Sequence, residues 1–169
     1  MNRQNKEIEK KRQLELLAIT PIDQFRGVFR FLSNFFTVDI DWEGLSFLST
    51  EAAYQAAKTT DIELRKKFTS LGASEAKKLG NEIELRPDWE EVRDGVMREV
   101  LEQKFAWTHL KELLNLTAPR ALVEGNNWHD VYWGVCNGQC KYGPHPAYGE
   151  NHLGLTLMEI RDGKTQNAR

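Results

Sequence analysis

Two short stretches of the first half place chemistry close together: Phe31-Leu32-Ser33-Asn34-Phe35, and then Ser49-Thr50-Glu51. The second half answers with Glu124-Gly125-Asn126-Asn127-Trp128-His129-Asp130 and Trp133-Gly134. Carboxylates, amides and aromatic faces in this combination suit a site that holds a ribosyl–base compound and breaks its N-glycosidic bond.

Spacing sharpens the candidates. If residues 50–60 form a helix, Glu51, Gln55 and Lys58 fall at i, i+4 and i+7 and share one face, which Tyr54 borders. A solvated stripe with a weak salt bridge would look the same. Against that, the opposite face carries Ala52, Ala53, Ala56 and Ala57, as a buried helix requires. Glu51 also sits in the first turn, where the helix dipole favours a negative charge. Asn34 either bonds its own backbone in a turn or, with the amides around it, holds a ribose or phosphate. Arg30 is placed to pair with a phosphate. In the loop 125–134 two indoles and Tyr132 offer faces for a planar base, unless those rings bury into the core. His129 titrates near neutral pH but ranks behind Asp130 and Glu51 as an acid–base group.

The elements that must position these residues follow from the pattern. Residues 1–21 form an N-terminal extension with a charged helix over 5–19, which Pro21 ends. The main domain spans 22–163 and a tail spans 164–169. Strands are expected over 24–31 and 38–47, the latter folding back at Asp41-Trp42-Glu43-Gly44 as a hairpin. Ser49 caps the helix 50–60. A short helix follows over 61–70, and another over 74–79 that Gly80 ends. Asp88 and Glu91 have capping-box spacing at the start of a helix to about Trp107, whose apolar stripe includes Val92, Val96, Val100, Met97, Leu101 and Phe105. A helix over 109–116 buries Leu110, Leu113 and Leu114. Ala121-Leu122-Val123 is a short strand, 125–150 a long loop, and 152–162 a closing helix or strand.

The chain has 169 residues, 40% hydrophobic and 28% charged, with a formal net charge of −2. That is a globular composition. It lacks the basic surface that general nucleic-acid binding needs. No apolar run approaches a membrane span and the N-terminus has no signal-peptide core, so a cytoplasmic location is expected, with no membrane partner. Only Cys136 and Cys140 occur, too few for a disulfide framework. Their C-x3-C spacing resembles half of a metal site, and His129, His145 and His152 lie nearby. Structural zinc sites generally use tighter pairs, so two reduced thiols in a loop is the favoured reading, and neither metal nor cofactor is expected. Phosphate-loop, dinucleotide, nucleophile-elbow and base-deaminase motifs are absent.

With these residues in view, the chain resembles the NADAR family, also called YbiA-like. The landmarks are Gly27, Phe31-Leu32-Ser33-Asn34-Phe35, Ser49-x-Glu51, Tyr54-Gln55-x-x-Lys58, Asp88-Trp89, Met97, Lys104-Phe105 and Leu113-Leu114 with Thr117. They continue through Val123-Glu124, Asp130-x-x-Trp133-Gly134 and Asn151-x-Leu153-Gly154-x-x-Leu157-Met158-x-x-Arg161. The resemblance implies an α+β domain, predominantly helical, with a small β-sheet. It also implies N-glycosidase activity, either on ribosylamino intermediates of riboflavin synthesis or on ADP-ribose attached to guanine in nucleic acid. Ser33, Asn34, Glu51, Lys58, Trp89, Asp130, Trp133, Gly134 and Asn151 match its pocket positions. Glu51, Lys58 and Asp130 are the catalytic candidates. Arg30, Ser33, Asn34, Phe35, Tyr54, Gln55, Trp89, Asn127, Trp133, Gly134 and Asn151 are the binding candidates. Glu51 would stabilise an oxocarbenium-like sugar or activate water, Asp130 or a water would protonate the leaving base, and Lys58 would orient Glu51 or attack C1. A non-catalytic module that binds ADP-ribose or a related nucleotide is the alternative. The loop after Gly134, with Cys136, Cys140 and a Pro/His-containing insert, departs from the family pattern.

Overall fold

A computed structural model describes Glu7, Lys10, Lys11, Glu15 and residues 19–164. The described residues among 5–19 are helical; the rest of that expected helix, and the tail beyond Lys164, lie outside the described residues. The fold is α+β and mostly helical. No helix among the described residues is long and apolar enough to cross a membrane. Contacts divide the chain into two compact units: Arg26–Glu112, and the residues up to Phe25 together with those from Leu113 onward.

In the 26–112 unit, a 3-10 helix over Gly27–Leu32 replaces the strand expected at 24–31. Phe31 and Leu32 are adjacent and both buried, which strand alternation does not allow on a one-sided sheet. The hairpin forms as expected. Strands β1 (Ile40–Trp42) and β2 (Leu45–Phe47) pair antiparallel, Ile40 opposite Phe47. Glu43 and Gly44 turn between them at φ 45° and 76°, the left-handed pair that a two-residue hairpin turn requires. Trp42 donates its indole N–H to Glu99 (2.8 Å), tying the hairpin to helix α4 (Trp89–Ala106).

Helix α1 (Thr50–Ala56) starts where expected, with Ser49 Oγ accepting from Ala52 N–H (3.1 Å), and stops short of residue 60. Every residue in it is buried. It packs on α2 (Ile62–Phe68), α3 (Ala73–Gly80), α4 and both strands of the hairpin. Its alanines make these approaches possible. Gly80 belongs to α3 rather than capping it: a Cβ there would lie 2.0 Å from Gln55 Oε1. The expected capping box of α4 does not form. Asp88 makes no side-chain cap, because its carboxylate is taken by Arg86 two residues earlier (2.6 and 2.8 Å). Helix α5 (Thr108–Asn115) buries Leu110 and Leu114, but Leu113 is 41% exposed.

In the second unit, Ala121–Val123 contributes only a parallel bridge, Ile22 against Leu122, flanked by hydrogen bonds from Ile22 to Ala121 and from Val123 to Ile22 (2.8 Å each). The long loop contains four two-residue strands. β3 (Gly125–Asn126) pairs parallel with β4 (Val135–Cys136), and β5 (Gln139–Cys140) antiparallel with β6 (Gly143–Pro144). The small sheet is therefore three separate two-stranded pairs. Helix α6 (His152–Arg161) closes the unit, burying Leu153 and Leu157. Arg161 donates from one guanidinium nitrogen to Thr117 Oγ1 (3.1 Å) and to the Arg120 carbonyl (2.8 Å).

Gly154 lets α6 approach closely, since a Cβ there would sit 2.2 Å from the Leu122 carbonyl oxygen. Helix propensity alone would make Gly154→Ala stabilising by about 1 kcal/mol. The clash with backbone reverses the sign, and overpacking of this kind costs about 1–3 kcal/mol. Chemical denaturation of Gly154→Ala should show that loss; a gain in stability would mean the α6–Leu122 approach is not as close as described.

Candidate functional site

The 26–112 unit brings most of the candidates together. Glu51 and Gln55 are both buried, and Gln55 donates its amide to Glu51 Oε1 (2.8 Å). Gln55 Oε1 is buried without a hydrogen-bond partner, a feature that ordinary core positions avoid. Lys58 follows the end of α1 and donates to the Gly80 carbonyl (3.1 Å). Burial is the chief influence on its ammonium, lowering the pKa below the usual lysine value. Glu51 opposes that fall and Lys77 adds to it. Desolvation and a neighbouring cation, here burial and Lys77, are how a lysine amine is made nucleophilic. The solvated-stripe reading of this face is thereby overturned.

The surrounding candidates divide into walls and anchors. Tyr54 and Trp89 are buried against each other, ring centroids 5.1 Å apart. Phe35 lies under the Lys77 ammonium at 5.5 Å. Asn34 anchors the 33–36 turn to the start of α1. Its carbonyl accepts from Glu51 N–H (3.0 Å), its Oδ1 from the Thr50 hydroxyl (3.2 Å), and its Nδ2 points at Met97 Sδ (3.4 Å). Ser33 accepts from Phe35 N–H through its hydroxyl (3.2 Å). Arg30 is exposed in the last turn of the 3-10 helix.

Two further lysines belong to this unit, neither of them among the candidate site residues. Lys104, 0% exposed, donates to the Ser33 carbonyl (2.7 Å), with its ammonium 5.6 Å from the Phe36 ring centre and 5.3 Å from that of Phe105. In the sequence it belongs to the Lys104-Phe105 landmark and interrupts the apolar side of α4 with a charge. Lys77 reaches the site from α3, and nothing in its local sequence marks it.

In the second unit the candidates are mostly engaged with backbone. Asp130 Oδ1 accepts from both Tyr132 N–H (3.2 Å) and Trp133 N–H (2.9 Å). Asn126 brackets the same residue, donating to the Asp130 carbonyl (2.7 Å) and accepting from its N–H (3.1 Å). Asp130 thus organises its turn through Oδ1. Asn151, at φ 58°, accepts from Glu124 N–H (3.0 Å) and donates to the Leu122 carbonyl (2.9 Å). Its amide clamps the chain rather than projecting toward a ligand. Gly134 is required by packing, as a Cβ would come 2.2 Å from the Glu124 carbonyl oxygen. Asn127 is exposed, and Trp128 is 53% exposed rather than in the core. Trp133 is half-buried beside Tyr132, which stacks on His152 at 4.2 Å.

This unit also assembles what the favoured reading of its thiols did not expect. One ligand atom each from His129, Cys136, Cys140 and His145 lies within 4.8 Å of all the others. His152 is not among them; it bonds Glu150 (2.7 Å).

Comparison with known proteins identifies the family. A family model described as the NADAR domain matches residues 23–163. "N-glycosidase YbiA" of Escherichia coli K12 is 35% identical over 134 residues, covering 77% of this chain and 78% of that protein. "N-glycosidase Npun_R5314" of Nostoc punctiforme is 34% identical over 138 residues, covering 77% and 82%. "Riboflavin biosynthesis protein VVA0006" of Vibrio vulnificus is 32% identical over 142 residues, covering 82% of this chain but 36% of the longer protein. The NMR structure of Escherichia coli YbiA superposes with a TM-score of 0.69 at 32% identity, covering 86% of this chain and 85% of that one.

The charges around Lys58 make a signed prediction. Glu51 raises its pKa and Lys77 lowers it. Glu51→Gln should therefore shift the Lys58 titration to lower pH, and Lys77→Gln to higher pH. NMR of reductively 13C-methylated protein reads both. Shifts of the same sign in the two variants would refute the assignment.

Proposed function

This chain belongs to the NADAR family and is a hydrolase acting on N-glycosyl bonds, and from that premise we propose that it cleaves ribose C1 from a nitrogen of its substrate, with Lys58 and Glu51 at the reacting carbon. The observation that carries this reading is the desolvated Lys58 amine, held by the Gly80 carbonyl and electrostatically coupled to Glu51. A module that only bound a nucleotide would have no use for that pair.

The chemistry balances without a cofactor. The neutral Lys58 amine forms a bond to C1 as the C1–N bond breaks. The electron pair of the broken bond leaves with the base nitrogen, which takes a proton from a bound water. The alkylated Nζ returns one proton to the hydroxide so formed and passes the other to the ring oxygen as the ribose ring opens, leaving an imine between Lys58 and C1. Water adds to C1 with its proton passing through Glu51 to Nζ. Collapse of the adduct returns the lysine amine and releases ribose as the aldehyde, which recloses. During C1–N cleavage the Glu51 carboxylate stabilises the positive charge developing on the sugar. Tyr54, Trp89 and Phe35 supply aromatic surface for the base, and Arg30 a charge for a phosphate.

Among substrates, the riboflavin-biosynthesis names of relatives favour a ribosylamino precursor of that kind. ADP-ribose on a guanine base is the second substrate to test. The test offers both compounds side by side and follows the freed base by mass spectrometry. Glu51→Ala and Lys58→Arg are each expected to slow release by about 10²–10⁴-fold. Borohydride added during turnover should reduce the imine and leave a sugar adduct on the Lys58 peptide. Undiminished release by Lys58→Arg, with no adduct on the wild type, would sink the covalent route. Binding without release of any base would favour the nucleotide-binding module.

A further inference from the structure

The geometry points to a structural zinc site in the second unit, formed by His129, Cys136, Cys140 and His145 and independent of the reaction assigned above. Cys140 Sγ lies 3.4 Å from His129 Nδ1 and 3.3 Å from His145 Nε2, and Cys136 Sγ lies 3.6 Å from the same His145 nitrogen. Zn–S bonds of about 2.3 Å and Zn–N bonds of about 2.0–2.1 Å, set at the tetrahedral angle, place sulfur and nitrogen about 3.6 Å apart. The three observed separations are those of tetrahedron edges. Both cysteines are free thiols, and two thiolates with two neutral imidazoles balance the charge of a divalent ion. A tetrahedral S2N2 set selects zinc among the common metals. With four protein ligands no position remains for substrate, so the site is structural.

The surrounding groups behave as a second shell does. His145 uses its other nitrogen, Nδ1, against the Pro146 carbonyl (2.7 Å), which turns Nε2 toward the sulfurs. His129 uses Nε2 against the Tyr148 hydroxyl (3.0 Å), which turns Nδ1 inward. Fixing a ligating imidazole through its far nitrogen is the usual device of metal sites. The backbone is bent to serve the same end. His129 sits at φ 70°, and Gly138 at φ 83° passes so close to the His145 carbonyl oxygen that a Cβ would lie 1.9 Å from it. Left-handed backbone at a non-glycine residue costs about 1–3 kcal/mol and persists only where its surroundings over-determine it.

The loop also needs a staple. β5 and β6 are two residues each, well below what a hairpin requires to hold itself in water. Tyr142 and Tyr148, which flank the histidines, are largely exposed. A zinc ion would join His129, at the entry to the Asp130 turn, to Cys136 in β4 and to the β5–β6 hairpin.

The full-length protein, purified without chelator, is expected to carry one zinc per chain by elemental mass spectrometry. Cys140→Ser and His145→Ala should lose it, while His152→Ala, outside the cluster, should keep it. Cobalt substituted into the wild type should show thiolate-to-metal charge-transfer bands and intense tetrahedral d–d bands. This readout stands even if the variants fail to fold. Chelation should speed proteolysis within residues 137–148. Wild-type protein that takes up neither metal, an octahedral cobalt spectrum without thiolate bands, or a Cys136–Cys140 disulfide in the freshly purified protein would each overturn the site.

Discussion

Helix α1 has no side facing solvent, so Glu51 and Gln55 must find their hydrogen-bond partners inside the protein. A buried carboxylate is costly unless it is paired, and Gln55 supplies one pairing directly at 2.8 Å. The alanines at 52, 53, 56 and 57 follow from the same constraint, because three helices and a hairpin converge on this helix. So does Gly80, which leaves room for the Gln55 amide. Lys58 lies just past the helix end, where burial is enough to lower its pKa but its ammonium still reaches a carbonyl. The helix is therefore scaffold and chemistry at once. A larger side chain on its small face would move the carboxylate and the amine together.

The turn at 33–36 is the second fixed point of the same unit. Asn34 joins it to the start of α1 by three separate contacts within the 26–112 unit, one of them to the Glu51 N–H itself. Lys104 holds the other side through the Ser33 carbonyl. A fully buried lysine is rare unless it has work of this kind, and its two neighbouring phenyl rings lessen the cost of burying its charge. Removing it would leave the Ser33 carbonyl to the Phe36 N–H (3.1 Å) and loosen the turn that sets the Glu51 backbone.

What could be read in the sequence was local. Ser49 as a cap, the Glu43-Gly44 turn and the alanine face of α1 depend on neighbours within a few residues, and each is present. The 24–31 segment defeated that approach because its aromatics imitate strand alternation, while its actual burial pairs the consecutive residues Phe31 and Leu32. The Asp88 cap failed through a competitor, Arg86, which is also only two residues away but has a stronger claim on the carboxylate. Leu113 fits the helical period of α5 yet lies on its open side. Lys77 and Gly80 enter the candidate site from a neighbouring helix, and no pattern in one stretch of sequence reports that. The four possible metal ligands were in view in the sequence, but the C-x3-C spacing counted against them: a bent backbone gathers His129 and His145 from either side of the two cysteines, so that spacing alone understates the set.

The amides and acids of the second half look, in sequence, like ligand-holding groups, and their bonds show what else they do. Asn126, Asp130 and Asn151 each direct their side chains to main-chain N–H or carbonyl groups of their own unit. Short polar side chains do this wherever a loop lacks regular partners for its backbone. Four two-residue strands leave many such groups to satisfy. In the 26–112 unit, helices satisfy most of the backbone themselves, so Glu51 and Gln55 can bond through their side chains to one another. Burial there acts on charge rather than on loop geometry, as the lowered pKa of Lys58 records. The same residue types thus take different roles for a reason set by secondary structure. Chemistry is best sought where the backbone has no need of the side chains.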